Sequence, residues 1–160
     1  MEQIKRIAMG EMAPDFDLKD QDGKLHALKE MSGRRVLLSF HPLAWTAVCA
    51  KQMQSLEAQF ERFAALGAEP FGLSIDTTFS KHAWAKSLGI EKVRLLSDFW
   101  PHGALAKALG LFREKEGSSE RANVLLDEDG RALWVKVYPI SELPDLEEIL
   151  ARLSPISPLR

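Results

Sequence analysis

Val36, Leu37, Leu38 and Phe40 make an almost unbroken apolar run, which the chain leaves through His41 and Pro42. Beyond it Met53, Leu56, Phe60 and Phe63 recur on one helical stripe. This pattern predicts a central strand, a proline-bearing loop, and a helix from near Ala47 or Val48 to the glycine stop at Leu66-Gly67. Upstream, Ala13-Pro14-Asp15-Phe16-Asp17-Leu18 alternates, Asp22-Gly23 turns, and Leu25, Ala27 and Leu28 return, which predicts a hairpin. Pro70 to Ile75 reads as a second core strand. Asp76-Thr77-Thr78 then offers N-cap residues, and Lys81 to Leu88 reads as a helix ended by Gly89. Leu95-Leu96-Ser97 is a short strand, and after the loop Asp98–Pro101 a helix from His102 to Leu109 closes at Gly110. Glu114 to Glu120, charged and carrying Ser and Gly, is expected to be a mobile loop. Ala122–Leu126 and Ala132–Tyr138 flank Asp127-Glu128-Asp129-Gly130 as a hairpin. Pro144 to Leu153 is an amphipathic helix with Leu146, Ile149, Leu150 and Leu153 inward, and Ser154-Pro155-Ile156-Ser157-Pro158 cannot continue it.

Strands alternating with helices first, and antiparallel strands last, predict an α/β sandwich with a central mixed sheet and helices on both faces. At 160 residues, with 46% hydrophobic and 28% charged positions, the chain is one domain's worth of soluble globular protein, spanning residues 1–160. Lys plus Arg number 21 against 23 Asp plus Glu, and no basic block appears, so nucleic acid is not an expected partner. Met1-Glu2-Gln3-Ile4-Lys5-Arg6 lacks a signal-peptide apolar region, and no apolar stretch approaches membrane-spanning length. One cysteine allows no intramolecular disulfide, which makes the reducing cytoplasm the expected compartment.

That cysteine, Cys49, falls at the predicted start of a helix. A first helical turn carries unpaired backbone N–H groups and the positive end of the macrodipole, which stabilises a thiolate over the thiol. An unperturbed thiol is only a few per cent ionised at neutral pH, so full ionisation is worth about 30-fold in rate, roughly 2 kcal/mol of barrier. Catalysis needs more: groups that hold an electrophile and stabilise charge on what leaves. By itself a lone cysteine is more often an inert core residue.

The surrounding residues reverse those odds. Pro42, Thr46 and Cys49 stand in a P-x-x-x-T-x-x-C pattern directly after a core strand. The pattern resembles the active-site motif of the peroxiredoxins, thioredoxin-fold thiol peroxidases. The resemblance covers nearly the whole chain: Ala13-Pro14-Asp15-Phe16, Leu73-Ser74-Ile75-Asp76 with Trp84, Leu96-Ser97-Asp98, and Arg121 ahead of the Asp127–Gly130 turn. Asp98-Phe99-Trp100-Pro101-His102-Gly103 resembles the one-cysteine alkyl hydroperoxide reductase E type in particular. The resemblance implies a thioredoxin-like three-layer sandwich and four catalytic positions. Cys49 is then the peroxidatic thiolate that becomes a sulfenic acid, and Thr46 offers its hydroxyl to thiolate and peroxide. Pro42 shields the sulfenic acid, and Arg121 pairs with the thiolate and polarises the peroxide. Two positions depart from the family's habit: Gln52 stands where a glutamate often orients the arginine, and His41 where an aromatic residue often precedes the proline.

With no second cysteine, an external thiol is the implied reductant: thioredoxin, a glutaredoxin-like protein or a low-molecular-weight thiol. No cofactor is implied. His26, His82 and His102 have no metal-like spacing with each other or with Cys49. The competing reading from another class is a peroxide-sensing or redox-relay module with slow turnover. A cysteine-phosphatase reading fails because Ser55 stands where a C-x-x-x-x-x-R loop needs arginine. Pairing into a homodimer is implied by the resemblance, with Trp45 and Trp100 the candidates for exposure beside the site.

Overall fold

The computed structural model describes residues 5–154, so the Pro155–Pro158 part of the expected helix-stopping tail lies outside the described residues. The N-terminal hairpin forms as β1 (Asp17–Lys19) and β2 (Leu25–Ala27). Asp20 closes its turn. Asp20 Oδ1 accepts the N–H groups of Asp22 and Lys24 at 2.8 and 3.0 Å, while Oδ2 lies 2.8 Å from His26 Nε2 and 3.3 Å from Arg94 Nη1. Burial works against this carboxylate, yet the His26 contact, the two N–H groups and Arg94 together hold it below its usual 3.8. A depressed carboxyl contributes stability that is present above its unfolded pKa and is lost as pH falls through the lower folded value. Asp20→Asn keeps the shape and removes the charge. It is expected to cost about 1–3 kcal/mol at neutral pH, with the gap narrowing below about pH 3.8; urea unfolding across that range checks it.

A 3-10 turn, Leu28–Met31, leads into β3 (Arg35–Phe40). Then follow α1 (Ala47–Ala58), α2 (Phe60–Ala65), β4 (Ala68–Ser74), α3 (Thr78–Leu88), β5 (Arg94–Ser97) and α4 (Ala104–Ala108). The chain ends with β6 (Phe112–Arg113), β7 (Ser118–Ser119), β8 (Arg121–Leu126), β9 (Ala132–Tyr138) and α5 (Leu146–Leu153). The main sheet has the order β5-β4-β3-β8-β9, with β3, β4 and β5 parallel and β8 antiparallel to both neighbours. It is the mixed sheet that the alternation predicts.

Period-two alternation divides the core into two layers. Val36, Leu38, Phe40, Leu73, Ala122 and Val124 face α4 and the N-terminal hairpin. Leu37, Leu95 and Leu125 face the other way, onto Met53 and Leu56 of α1, Phe63 of α2, Trp84 of α3 and Ile149 of α5. Gly72 of β4 lies under α1 on this second face, where a Cβ would stand 2.3 Å from Met53 Sδ. The missing side chain lets α1 approach the sheet closely.

Two sequence expectations are corrected. The helix predicted from Ala47 to Leu66 is two helices, because the chain bends at Gln59 (φ −101°, ψ 7°), with the Ser55 hydroxyl already bonded back to the Gln52 carbonyl one turn earlier. The segment 114–120 is not a free loop. The Gly117 N–H reaches the Arg113 carbonyl at 2.8 Å, His102 Nε2 meets the Gly117 carbonyl at 2.7 Å, and Ser118 and Ser119 are buried. The exposed charges of Glu114, Lys115 and Glu116 sit in a tight turn, and Ser118 and Ser119 beyond it pair with Phe112 and Arg113 as β7.

Candidate active site

Cys49 and Arg121 are 72 residues apart, and strand register brings them together. Phe40 at the end of β3 pairs with Ala122 near the start of β8, so the antiparallel partner begins where β3 delivers its loop. Ala122, Val124 and Leu126 point to the α4 layer, so Arg121 is on the opposite parity, the α1 side. The carboxyl ends of β3, β4 and β5 and the amino end of β8 therefore meet at one edge, where sheets of this kind place ligands.

Cys49 is fully buried at the third position of α1, within a layer that includes Ala44, Met53 and Trp84. That burial is what an inert core cysteine also shows. What separates the two cases is the guanidinium: Arg121 Nη1 lies 3.3 Å from Cys49 Sγ. Arg121 is itself buried and held in place, with Nη1 donating to Gln52 Oε1 at 2.7 Å and Nε donating to the Ile140 carbonyl at 2.9 Å. Gln52 is locked in turn, because its Nε2 donates to Ser39 Oγ at 2.8 Å and the Phe40 carbonyl at 3.2 Å. The amide thus does without charge what the sequence left open. It orients the arginine and also ties α1 to β3, a pair of donor bonds that a carboxylate lacks.

Thr46 holds the N-cap position of α1 with extended backbone (φ −107°, ψ 154°), but its side chain does not cap the helix. Its hydroxyl donates to the Leu43 carbonyl at 2.8 Å, and the residue is exposed. Pro42 is buried beside His41. Trp45, between Pro42 and Thr46, has φ +71°, a left-handed conformation that costs a bulky residue about 1–3 kcal/mol. The loop is held against that strain by Asp76, whose Oδ2 accepts the Ala44 N–H at 2.9 Å, and by Ser80, whose Oγ accepts Trp45 Nε1 at 2.9 Å. In the sequence Asp76 stands out only as a capping candidate and as part of the Leu73–Asp76 motif, and Ser80 does not stand out at all. Only the adjacency of β3 and β4 reveals their role here.

His41 is buried with neither ring nitrogen hydrogen-bonded, and its ring packs 5.3 Å from that of Trp84. Burial, with Lys81 and Arg121 adding to it, holds the imidazole well below its usual 6.5, so it is neutral at physiological pH. His26 pairs with Asp20, His102 meets the Gly117 carbonyl, and His82 meets Asp22 at the surface; among the described residues no His/Cys/Asp/Glu group has metal-binding geometry.

The chain is similar in sequence and fold to known proteins. The model of the AhpC/TSA family matches residues 9–134. Alkyl hydroperoxide reductase E of Mycobacterium tuberculosis is 33% identical over 140 residues, 87% of this chain and 91% of that protein. A peroxiredoxin of Thermoplasma volcanium is 31% identical over 149 residues, 90% of this chain and 72% of that protein. Among solved structures, Enterococcus faecalis AhpC shares the fold at a TM-score of 0.84 and 21% identity, over 92% of this chain and 90% of that one. Reduced Plasmodium vivax 2-Cys peroxiredoxin does so at 0.81 and 27%, over 91% and 79%. A thioredoxin-like sheet, a cysteine in the first turn of the helix after β3 and a relative matched over most of both lengths lead to one conclusion: this chain belongs to the AhpC/TSA family.

Proposed function

We infer that this chain is a thiol-dependent peroxidase acting on hydrogen peroxide and organic hydroperoxides through Cys49. The observation that carries the assignment is the 3.3 Å contact between Arg121 Nη1 and Cys49 Sγ in a buried setting. The thiolate sulfur attacks one peroxide oxygen, the O–O bond breaks, and the departing oxygen leaves with the electron pair and takes a proton to become water or an alcohol. Cys49 is left as a sulfenic acid. Arg121 stabilises the sulfur anion and the charge developing on the leaving oxygen, Thr46 positions the peroxide, and Pro42 screens the product from water. One external thiol then condenses with the sulfenic acid, releasing water and forming a mixed disulfide, and a second thiol restores Cys49. Because Cys49 is fully buried, the first turn of α1 loosens to admit that thiol, and faster hydrogen exchange at residues 47–52 after capping by glutathione tests this.

Thr46→Val removes the hydroxyl and its bond to the Leu43 carbonyl. It is expected to lower the rate of peroxide reaction by about 10²-fold, read by single-turnover stopped flow. Titration of the reduced protein with peroxide, followed by a panel of reductants, tests the whole assignment. One equivalent consumed per Cys49, with recovery by a thiol, supports it, and consumption no faster than by free cysteine contradicts it. We place the enzyme in the cytoplasm, where a single unpaired cysteine stays reduced. We further propose a homodimer formed through the loops beside the site. Trp45 and Trp100, exposed at 55% and 78%, are large apolar side chains on those loops, and Phe79 in the first turn of α3 is exposed at 86%. Light scattering decides between monomer and dimer.

A further inference from the structure

Behind the thiol lies a second cation that the assigned mechanism does not use. Lys81 of α3 is completely buried, and its Nζ has no hydrogen-bond partner. A lysine in that condition is rare, since its charge gains nothing from a direct contact. Its place in the fold is fixed by its neighbours. Trp84, one turn further along the same face of α3, packs against His41 and shares the buried layer that holds Cys49. Ser80, the preceding residue, anchors Trp45 of the active-site loop. Lys81 therefore points into the interior from the side of the site opposite β8.

We propose that Lys81 is a positioning residue for the thiolate: a buried ammonium that stabilises the Cys49 anion through the field, without contact, as the counterpart of Arg121. The proposal rests on the assignment of Cys49 as the reacting thiol. The charged and titratable groups around Lys81 come from every element packed on it. They are Asp76 after β4, Asp98 after β5, Cys49 on α1 and His41 after β3, whose ring also feels Arg121 of β8. The two carboxylates are already committed. Asp76 accepts from Ala44 and Ser74, and Asp98 accepts the N–H groups of Leu105 and Ala106 at 3.0 Å each. His41 is neutral, so the thiolate is the anion whose charge changes during the reaction.

Burial pushes Lys81 down to about 7, with the charges of Asp76, Cys49 and Asp98 opposing that shift. It thus titrates in the working range, unlike an arginine. Attraction between two groups is reciprocal: if the ammonium favours the thiolate, the thiolate favours the ammonium. When Cys49 becomes a neutral sulfenic acid, Lys81 loses that support and sheds charge. The site then holds less positive charge in the oxidised state than in the reduced one.

Lys81→Met replaces the ammonium with an apolar chain of similar length. Its rate of oxidation by hydrogen peroxide, followed by stopped flow from acid to alkaline pH, is expected to fall about 3–10-fold below neutrality and to converge on the wild-type rate in alkali. Lys81→Arg, charged throughout, is expected to restore the acid limb. Superimposable profiles for wild type and Lys81→Met overturn the proposal while leaving the peroxidase assignment intact. A wild type that fails to react with peroxide overturns the assignment itself. Should Lys81→Met not fold, the Lys81 side-chain resonance is titrated by NMR in wild type and in Cys49→Ser. A lower midpoint in Cys49→Ser supports the coupling, and equal midpoints overturn it.

Discussion

Cys49→Ser is expected to yield a folded protein with no measurable peroxide turnover. The loss is total because a serine hydroxyl is not ionised at working pH and oxygen does not take up the transferred oxygen atom. The fold survives because the change is nearly isosteric in a closed environment. Arg121 keeps Gln52 and Ile140 as partners, and the new hydroxyl can accept the Nη1 hydrogen that now faces sulfur. A stability change of about 1 kcal/mol or less is anticipated, within the range of a single tolerated substitution. Thermal unfolding beside a peroxide-consumption assay separates the two effects. A variant that still consumes peroxide catalytically would remove Cys49 from the chemistry.

The second large effect is at Arg121. Arg121→Gln is expected to slow reaction with peroxide by about 10²–10³-fold, the cost of deleting one donor aimed at developing charge. It also leaves the Ile140 carbonyl and Gln52 Oε1 without their donor, so a stability loss of about 1–3 kcal/mol accompanies it. Arg121→Lys distinguishes charge from geometry. An ammonium keeps the cation but loses the planar fork that meets Cys49, Gln52 and Ile140 at once, so an intermediate rate is expected. Peroxide kinetics at a pH where the wild-type thiol is fully ionised isolates the effect on the transition state from that on ionisation. Should Arg121→Gln react at near-normal rate, no nearby arginine takes over readily. Arg113 is paired with Glu116 in the β6–β7 hairpin, and Arg131 donates to the Gly10 carbonyl at the far hairpin turn.

The chain reveals most of this architecture where one periodicity dominates. The β3 run, the hairpin around Asp127–Gly130 and the stripe of Leu146, Ile149, Leu150 and Leu153 are each unambiguous, and each appears as an element with the expected face buried. The bend at Gln59 is not legible, because no proline or glycine marks it and the apolar stripe continues through Phe60 and Phe63. Ser118 and Ser119 mislead in the other direction, since small polar residues fit a buried short strand as well as an open loop.

The site divides along the same line. Cys49 and Thr46 lie within one short motif, and Arg121 becomes visible through the resemblance; only sheet register explains why it is close. Gln52 was legible as a departure but not as a three-bond anchor, because its partners Ser39 and Phe40 lie on a strand rather than on its own helix. Asp76, Ser80 and Lys81 act across the β3–β4–α3 contact, and a linear sequence carries no mark of that meeting.

The most direct test mixes reduced protein with hydrogen peroxide in a stopped flow, following Trp45 fluorescence and trapping the product with a sulfenic-acid reagent for mass spectrometry. A single fast phase is predicted, orders of magnitude above free cysteine, with one oxygen atom placed on Cys49. A rate equal to that of free cysteine, or an adduct on any other residue, would contradict the account.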